Sequence, residues 1–127
     1  MAFAILQWNA RSLIANGQEF KHFIANCDVS PDIICVQETW LKPQLHFQIS
    51  GYEAIRKDRN KGNGGGVATF IKKGIGFRKV EDNEYEAVVV EVWEGNQSIR
   101  IINFYNPCDK LTKDMMENIG EIGDFKI

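Results

Sequence analysis

Three polar residues stand where apolar runs stop, and their types suit one kind of chemistry. Asn9 follows the run Phe3 to Trp8, Glu38 lies just beyond Asp32 to Val36, and Tyr105 closes the run that begins at Ser98. A carboxylate such as Glu38 is a hard oxygen ligand suited to Mg²⁺, which keeps several waters and binds through one or two carboxylates plus substrate phosphate. An Asn amide beside it can orient a phosphate oxygen or a metal-bound water. A Tyr hydroxyl can donate to a phosphate oxygen that gains charge in the transition state. Together these groups suit phosphoryl transfer or metal-assisted hydrolysis of a phosphodiester. Taken singly, each has a plainer reading: Asn9 as a turn residue, Glu38 as a solvated carboxylate, Tyr105 as strand packing. Only convergence on one sheet edge would make them a site.

The surrounding elements predict that convergence. Phe3 to Trp8 reads as a buried strand. Ser12 can cap a helix beginning near Leu13, in which Leu13, Phe20, Phe23 and Ile24 recur at near-helical spacing. Asp28 to Pro31 ends it, and Asp32 to Val36 reads as a second buried strand. Strand, helix, strand in close succession predicts a βαβ-like unit with two neighbouring strands. Asn9 and Glu38 then fall at the C-terminal strand ends, where functional groups gather in α/β sheets. Gly51 to Arg56 and Val67 to Ile71 read as further strands, separated by a polar turn and Gly64-Gly65-Gly66. Glu86 to Trp93 and Ser98 to Tyr105 read as a hairpin turning at Gly95-Asn96. Leu111 to Ile119 reads as a weakly amphipathic helix, and Gly123 to Ile127 as the start of an unfinished strand.

Bulk properties narrow the class. The chain has 127 residues, 44% hydrophobic and 25% charged, which fits one soluble domain or part of one. The net charge of −2 does not suit binding of nucleic acid by bulk electrostatics, although a single basic face would suffice for a nuclease. Arg56, Lys57, Arg59 and Lys61 cluster, followed by Lys72, Lys73, Arg78 and Lys79; these read as solvated loops and turns. Cys27, Cys35 and Cys108 fit neither a disulfide framework nor a zinc site, and Cys35 reads as a small core residue. No apolar run nears the roughly 20 residues that cross a bilayer. The apolar start is too short for a secretory signal, so the expected location is intracellular, cytoplasmic or nuclear, and not secreted.

The motifs resemble the endonuclease/exonuclease/phosphatase (DNase I-like) superfamily, and most closely the apurinic-type endonuclease domains of non-LTR retrotransposons. Gln7-Trp8-Asn9-Ala10-Arg11-Ser12-Leu13 is similar to its first motif, and Ile33 to Trp40, with Gln37-Glu38-Thr39-Trp40, to its second. Gly64 to Phe70 is similar to the glycine-rich strand start that follows, and Ile102 to Pro107 to the segment bearing the active-site Tyr. The four occur in the family's order and span nearly the whole chain. The resemblance implies an α/β fold, the N-terminal half of a two-sheet, four-layer sandwich with mostly antiparallel strands. Residues 1–127 would then form a partial domain. It implies Glu38 as metal ligand, Asn9 as the phosphate- and water-orienting residue, and Tyr105 as the phosphate-contacting hydroxyl. Arg11 is a candidate substrate-binding residue in the first loop. Gln37 is expected to point to the opposite strand face from Glu38. The implied activity of the complete domain is Mg²⁺-dependent nicking of DNA, with a retrotransposon origin. The alternatives are a phosphoinositide or phosphomonoester phosphatase of the same superfamily, or a non-catalytic nucleic-acid-binding remnant.

The resemblance also defines what is missing. The family's water-positioning Asp sits in a later Gly-Asp-Phe-Asn motif and is followed by an Asp-His pair. Gly123-Asp124-Phe125-Lys126 mimics that motif, but no apolar strand precedes it and Lys replaces Asn. His22 falls on the predicted helix and His46 in a loop, neither in an Asp-His pair. The chain is therefore expected to be inactive alone. Because one half would expose its inner sheet face, it is also expected to self-associate through that face.

Overall fold

The computed structural model describes residues 3–59, 62–81 and 84–105. Strand β1 (Ile5–Asn9) leads to helix α1 (Leu13–Ala25) and then to β2 (Ile33–Gln37), with β1 and β2 parallel neighbours. Ser12 caps α1, its Oγ accepting from the Ala15 amide at 3.1 Å; this satisfies one of the donors a helix start leaves without a partner. After a long loop come β3 (Tyr52–Lys57) and β4 (Val67–Lys72). They complete a four-stranded sheet of order β1-β2-β4-β3, antiparallel apart from the first pair. A second sheet contains β5 (Phe77–Lys79), β6 (Ala87–Glu94) and β7 (Gln97–Phe104), all antiparallel. β5 has only three residues and was not foreseen from the sequence. Its identity as a strand comes from pairing with β6, not from a local pattern. The expected helix at 111–119 and the final strand lie outside the described residues.

Strand periodicity explains the two cores. On β2, Ile34 and Val36 face α1 and the 41–49 loop; with Leu13, Phe20, Ile24, Phe47 and Phe70 they form the first core. Ile33 and Cys35, one residue out of step, face the second sheet and pack with Val67, Ile71, Val88, Val90 and Val92. Successive strand side chains point to opposite faces, so a strand buried on both sides reads as an unbroken apolar run. All five residues of β2 are buried accordingly. Trp8 stacks on Phe20 with centroids 4.2 Å apart, fastening β1 to the helix. Gly17 makes room for the Phe47 ring, which would collide with any Cβ there.

The chain thus holds parts of both sheets, not one sheet with a bare inner face. The inner faces of β2, β4 and β6 cover one another. β7 packs over β2 and β4. What remains open is the margin at β1, an edge strand on which Ile5 is 51% exposed. Among the described residues the expected exposed inner face is confined to that margin.

Candidate functional site

β1 and β7 are the edge strands of their sheets, and they border a common cavity of about 490 Å³. Asn9 and Gln37, Cα partners at the ends of β1 and β2, line it together with Asn103 and Tyr105 from the end of β7. The structure therefore brings Asn9 and Tyr105 to one opening, as the strand-end reading predicts.

Glu38 joins them through a backbone device. Its φ is +52°, in the left-handed region that is uncommon for any residue other than glycine. That turn ends the alternation of β2. Gln37 lines the cavity between the sheets, and the twist at Glu38 leaves its carboxylate close enough to Tyr105 for its negative charge to act on that phenol. Gln37 and Glu38 were expected on opposite faces. Simple alternation does not extend to Glu38, because the backbone there is no longer extended.

The neighbouring segments hold this conformation. The amides of Thr39 and Trp40 donate to the carbonyls of Gly66 (3.2 Å) and Gly65 (2.9 Å). Gly66, at φ +87°, lies so close that a Cβ there would stand 2.5 Å from the Thr39 hydroxyl. The glycine run thus acts through a tight turn and close approach, which glycine alone permits at this φ. On the other side, the Tyr105 amide donates to the Glu86 carbonyl at 3.0 Å.

Buried amides fasten the sheets beneath the site. Gln7 donates to the Gln37 side-chain oxygen, and Gln37 Nε2 donates to Asn103 Oδ1 at 2.8 Å. Asn103 Nδ2 in turn reaches the carbonyls of Val36 (3.3 Å) and Ala68 (2.9 Å) and the Thr69 hydroxyl (3.2 Å). The network is closed: no buried side-chain polar atom among the described residues lacks a partner. Such satisfaction is what makes a polar group tolerable at full burial. Gln37 is thus a crosspiece between the sheets, a role its place in the sequence did not reveal.

Electrostatics set the tone around Tyr105. Burial first, then the negative charge of Glu38, raises its phenol above the ordinary value. Arg59 opposes that rise, and Glu86 adds to it. Arg59 and Glu86 form a bidentate pair at 2.8 and 2.9 Å. The Arg59 guanidinium, against the burial cost, holds the Glu86 carboxyl below its ordinary range. Arg59 was read as part of a solvated basic cluster. Instead Arg56, Arg59, Lys72 and Arg78 each meet an acidic partner: Asp58, Glu86, Asp32 and Glu91. The signal was hidden because the partner of Arg59 is 27 residues away, on the other sheet.

Arg11 stands next to Ser12, whose amide donates to the Glu38 carbonyl at 3.0 Å. It is exposed, at φ +47°, and borders a separate depression between β1 and α1 that Asn9 also touches. His22 lies in the last turn of α1 and His46 in an exposed loop, both away from the site. Among the described residues no three His, Cys, Asp or Glu side chains gather as a metal cage. A partly exposed carboxylate near a phenol fits a divalent cation that relies on water for much of its shell.

The two stacked, mostly antiparallel sheets with this loop geometry define a DNase I-like fold. Residues 6–106 match the model of the Endonuclease/Exonuclease/phosphatase family, and the chain belongs to that family. Among solved structures it is similar to the endonuclease domain of TRAS1, a telomere-specific non-LTR retrotransposon: 17% identity, 96% of this chain and 54% of that one, TM-score 0.69. It is also similar to an AP endonuclease from Leishmania major (20% identity, 81% and 40% coverage, TM-score 0.65). A third similar structure is the 3′ phosphatase NExo from Neisseria bound to product DNA hairpin (21% identity, 95% and 51% coverage, TM-score 0.63). The chain spans about half the length of these proteins or less. Comparison with curated proteins gave no match.

Proposed function

We propose that this chain carries one part of a metal-dependent phosphodiesterase site that, in a complete domain, nicks DNA, and that it derives from a non-LTR retrotransposon endonuclease. The observation that carries the proposal is the juxtaposition of the Glu38 carboxylate and the Tyr105 hydroxyl beside a cavity that Asn9 and Tyr105 share. In this reading Glu38 and bound water hold Mg²⁺. The cation would supply a Lewis acid for the phosphate and offset its charge. Asn9 orients a phosphate oxygen or water through its amide. Tyr105, beside Glu38, donates its hydroxyl to a phosphate oxygen that becomes more negative in the transition state. The raised phenol keeps the hydroxyl protonated, as a donor must be, at neutral pH. The water-activating Asp and the Asp-His pair implied by the resemblance have no counterpart among these residues, so the chain by itself does not turn over.

Two measurements test this. Supercoiled plasmid incubated with the chain and Mg²⁺ should stay supercoiled, whereas Mn²⁺ should broaden the NMR resonances of Asn9, Glu38 and Tyr105. Nicking abolished by Glu38→Ala would overturn the claim that these residues are insufficient. Broadening that persists in Glu38→Ala would overturn the metal assignment. DNA binding without Glu38-dependent metal binding would instead favour a non-catalytic remnant.

A further inference from the structure

Glu38 and Tyr105 stand just past the ends of strands in different sheets, so packing of the sheets alone does not set the distance between them. A short chain of contacts does. Gly66, whose carbonyl accepts from the Thr39 amide beside Glu38, donates its own amide to Glu86 Oε1 at 3.3 Å. The backbone carbonyl of Glu86 accepts from the Tyr105 amide at 3.0 Å. Glu86 therefore touches the support of Glu38 with its carboxylate and the support of Tyr105 with its backbone. Arg59 locks that carboxylate with both Nε and Nη2 and holds the loop through Nη1, which donates to the Asn63 carbonyl at 2.8 Å. Gly65 is glycine where a Cβ would collide with this guanidinium.

We propose that Arg59 and Glu86 are positioning residues, a clip that sets the spacing of Glu38 and Tyr105. The inference rests on the reading of Glu38 and Tyr105 as site residues. A planar guanidinium matched to a carboxylate by two parallel hydrogen bonds fixes orientation as well as distance, which a lysine cannot do.

Arg59→Lys keeps the charge and loses the fork; Glu86→Gln keeps the shape and loses the charge. Amide hydrogen exchange in each variant should show protection at Thr39, Trp40 and Tyr105 falling about tenfold, with Val36 and Val90 in the central strands unchanged. Mn²⁺ affinity should fall several-fold in Arg59→Lys. In Glu86→Gln the spacing loosens, and affinity should fall as well. Unchanged protection at Thr39 and Tyr105 overturns the clip, as does loss shared equally by Val36 and Val90. Loosened amides with wild-type Mn²⁺ affinity overturn its positioning role. Mn²⁺ binding by the wild type that ignores Glu38→Ala refutes the metal reading instead, and the exchange data then decide the clip by themselves.

Discussion

Replacing Asn103 with Leu tests whether the buried amide network holds the two sheets together. Asn103 is 1% exposed, and Leu has similar volume, so loss of hydrogen bonding dominates over cavity formation. Two amide hydrogens shared among Val36, Ala68 and Thr69, plus one bond accepted from Gln37, amount to three effective bonds. At about 1 kcal/mol net for each, their loss costs about 3 kcal/mol. The change also strands Gln37 Nε2, in a residue only 8% exposed, which adds about 1–3 kcal/mol. A total of about 4–6 kcal/mol is a large share of the ~5–15 kcal/mol that stabilises a typical domain. With a urea m-value of ~2 kcal/mol/M, the midpoint should fall by about 2–3 M. The double variant Gln37→Leu/Asn103→Leu removes the stranded donor, and Gln7, at the exposed end of the network, can turn to water. It should therefore be less destabilised than the sum of the two single variants by about 1–3 kcal/mol. A cost under about 1 kcal/mol for Asn103→Leu, or simple additivity of the two changes, would show that these amides do not hold the sheets together.

Two further outcomes follow from titration and burial. Burial raises the Cys35 thiol to about 11, against a small lowering by its bond to Thr69. Native Cys35 should resist alkylation near pH 8 while half-buried Cys27 reacts; comparable rates would mean that the core between the sheets opens locally. Because the folded value is raised above 9.0, this thiol favours the native state below pH 9 and ceases to do so as pH rises toward 11. Glu86 has the opposite sign: Arg59 lowers its carboxyl below 4.5, so its contribution is present above pH 4.5 and is lost as pH falls through the lowered value. Wild-type stability should therefore decline more steeply than that of Glu86→Gln below pH 4.5, and equal slopes would contradict the ion pair.

Local pattern was enough for much of this protein. The apolar spacing from Leu13 to Ile24, the Ser12 cap and the unbroken run of β2 are short-range consequences of helix and strand geometry, and all were readable in one dimension. The positions of Asn9, Glu38 and Tyr105 at or just past strand ends were legible for the same reason, as polar residues that end apolar runs. Other features depended on contacts distant in sequence. The three residues of β5 become a strand only against β6. Gln37 meets Asn103 across 66 positions, and Arg59 meets Glu86 across 27, so neither pair leaves a local signature. Tertiary structure alone decided that Glu38 turns at φ +52°, because the carbonyls of Gly65 and Gly66 supply the hydrogen bonds that hold the next two amides in place. Residue types at strand ends thus marked the candidates for chemistry, while the packing of two sheets determined which of those residues meet and how the space between them is held.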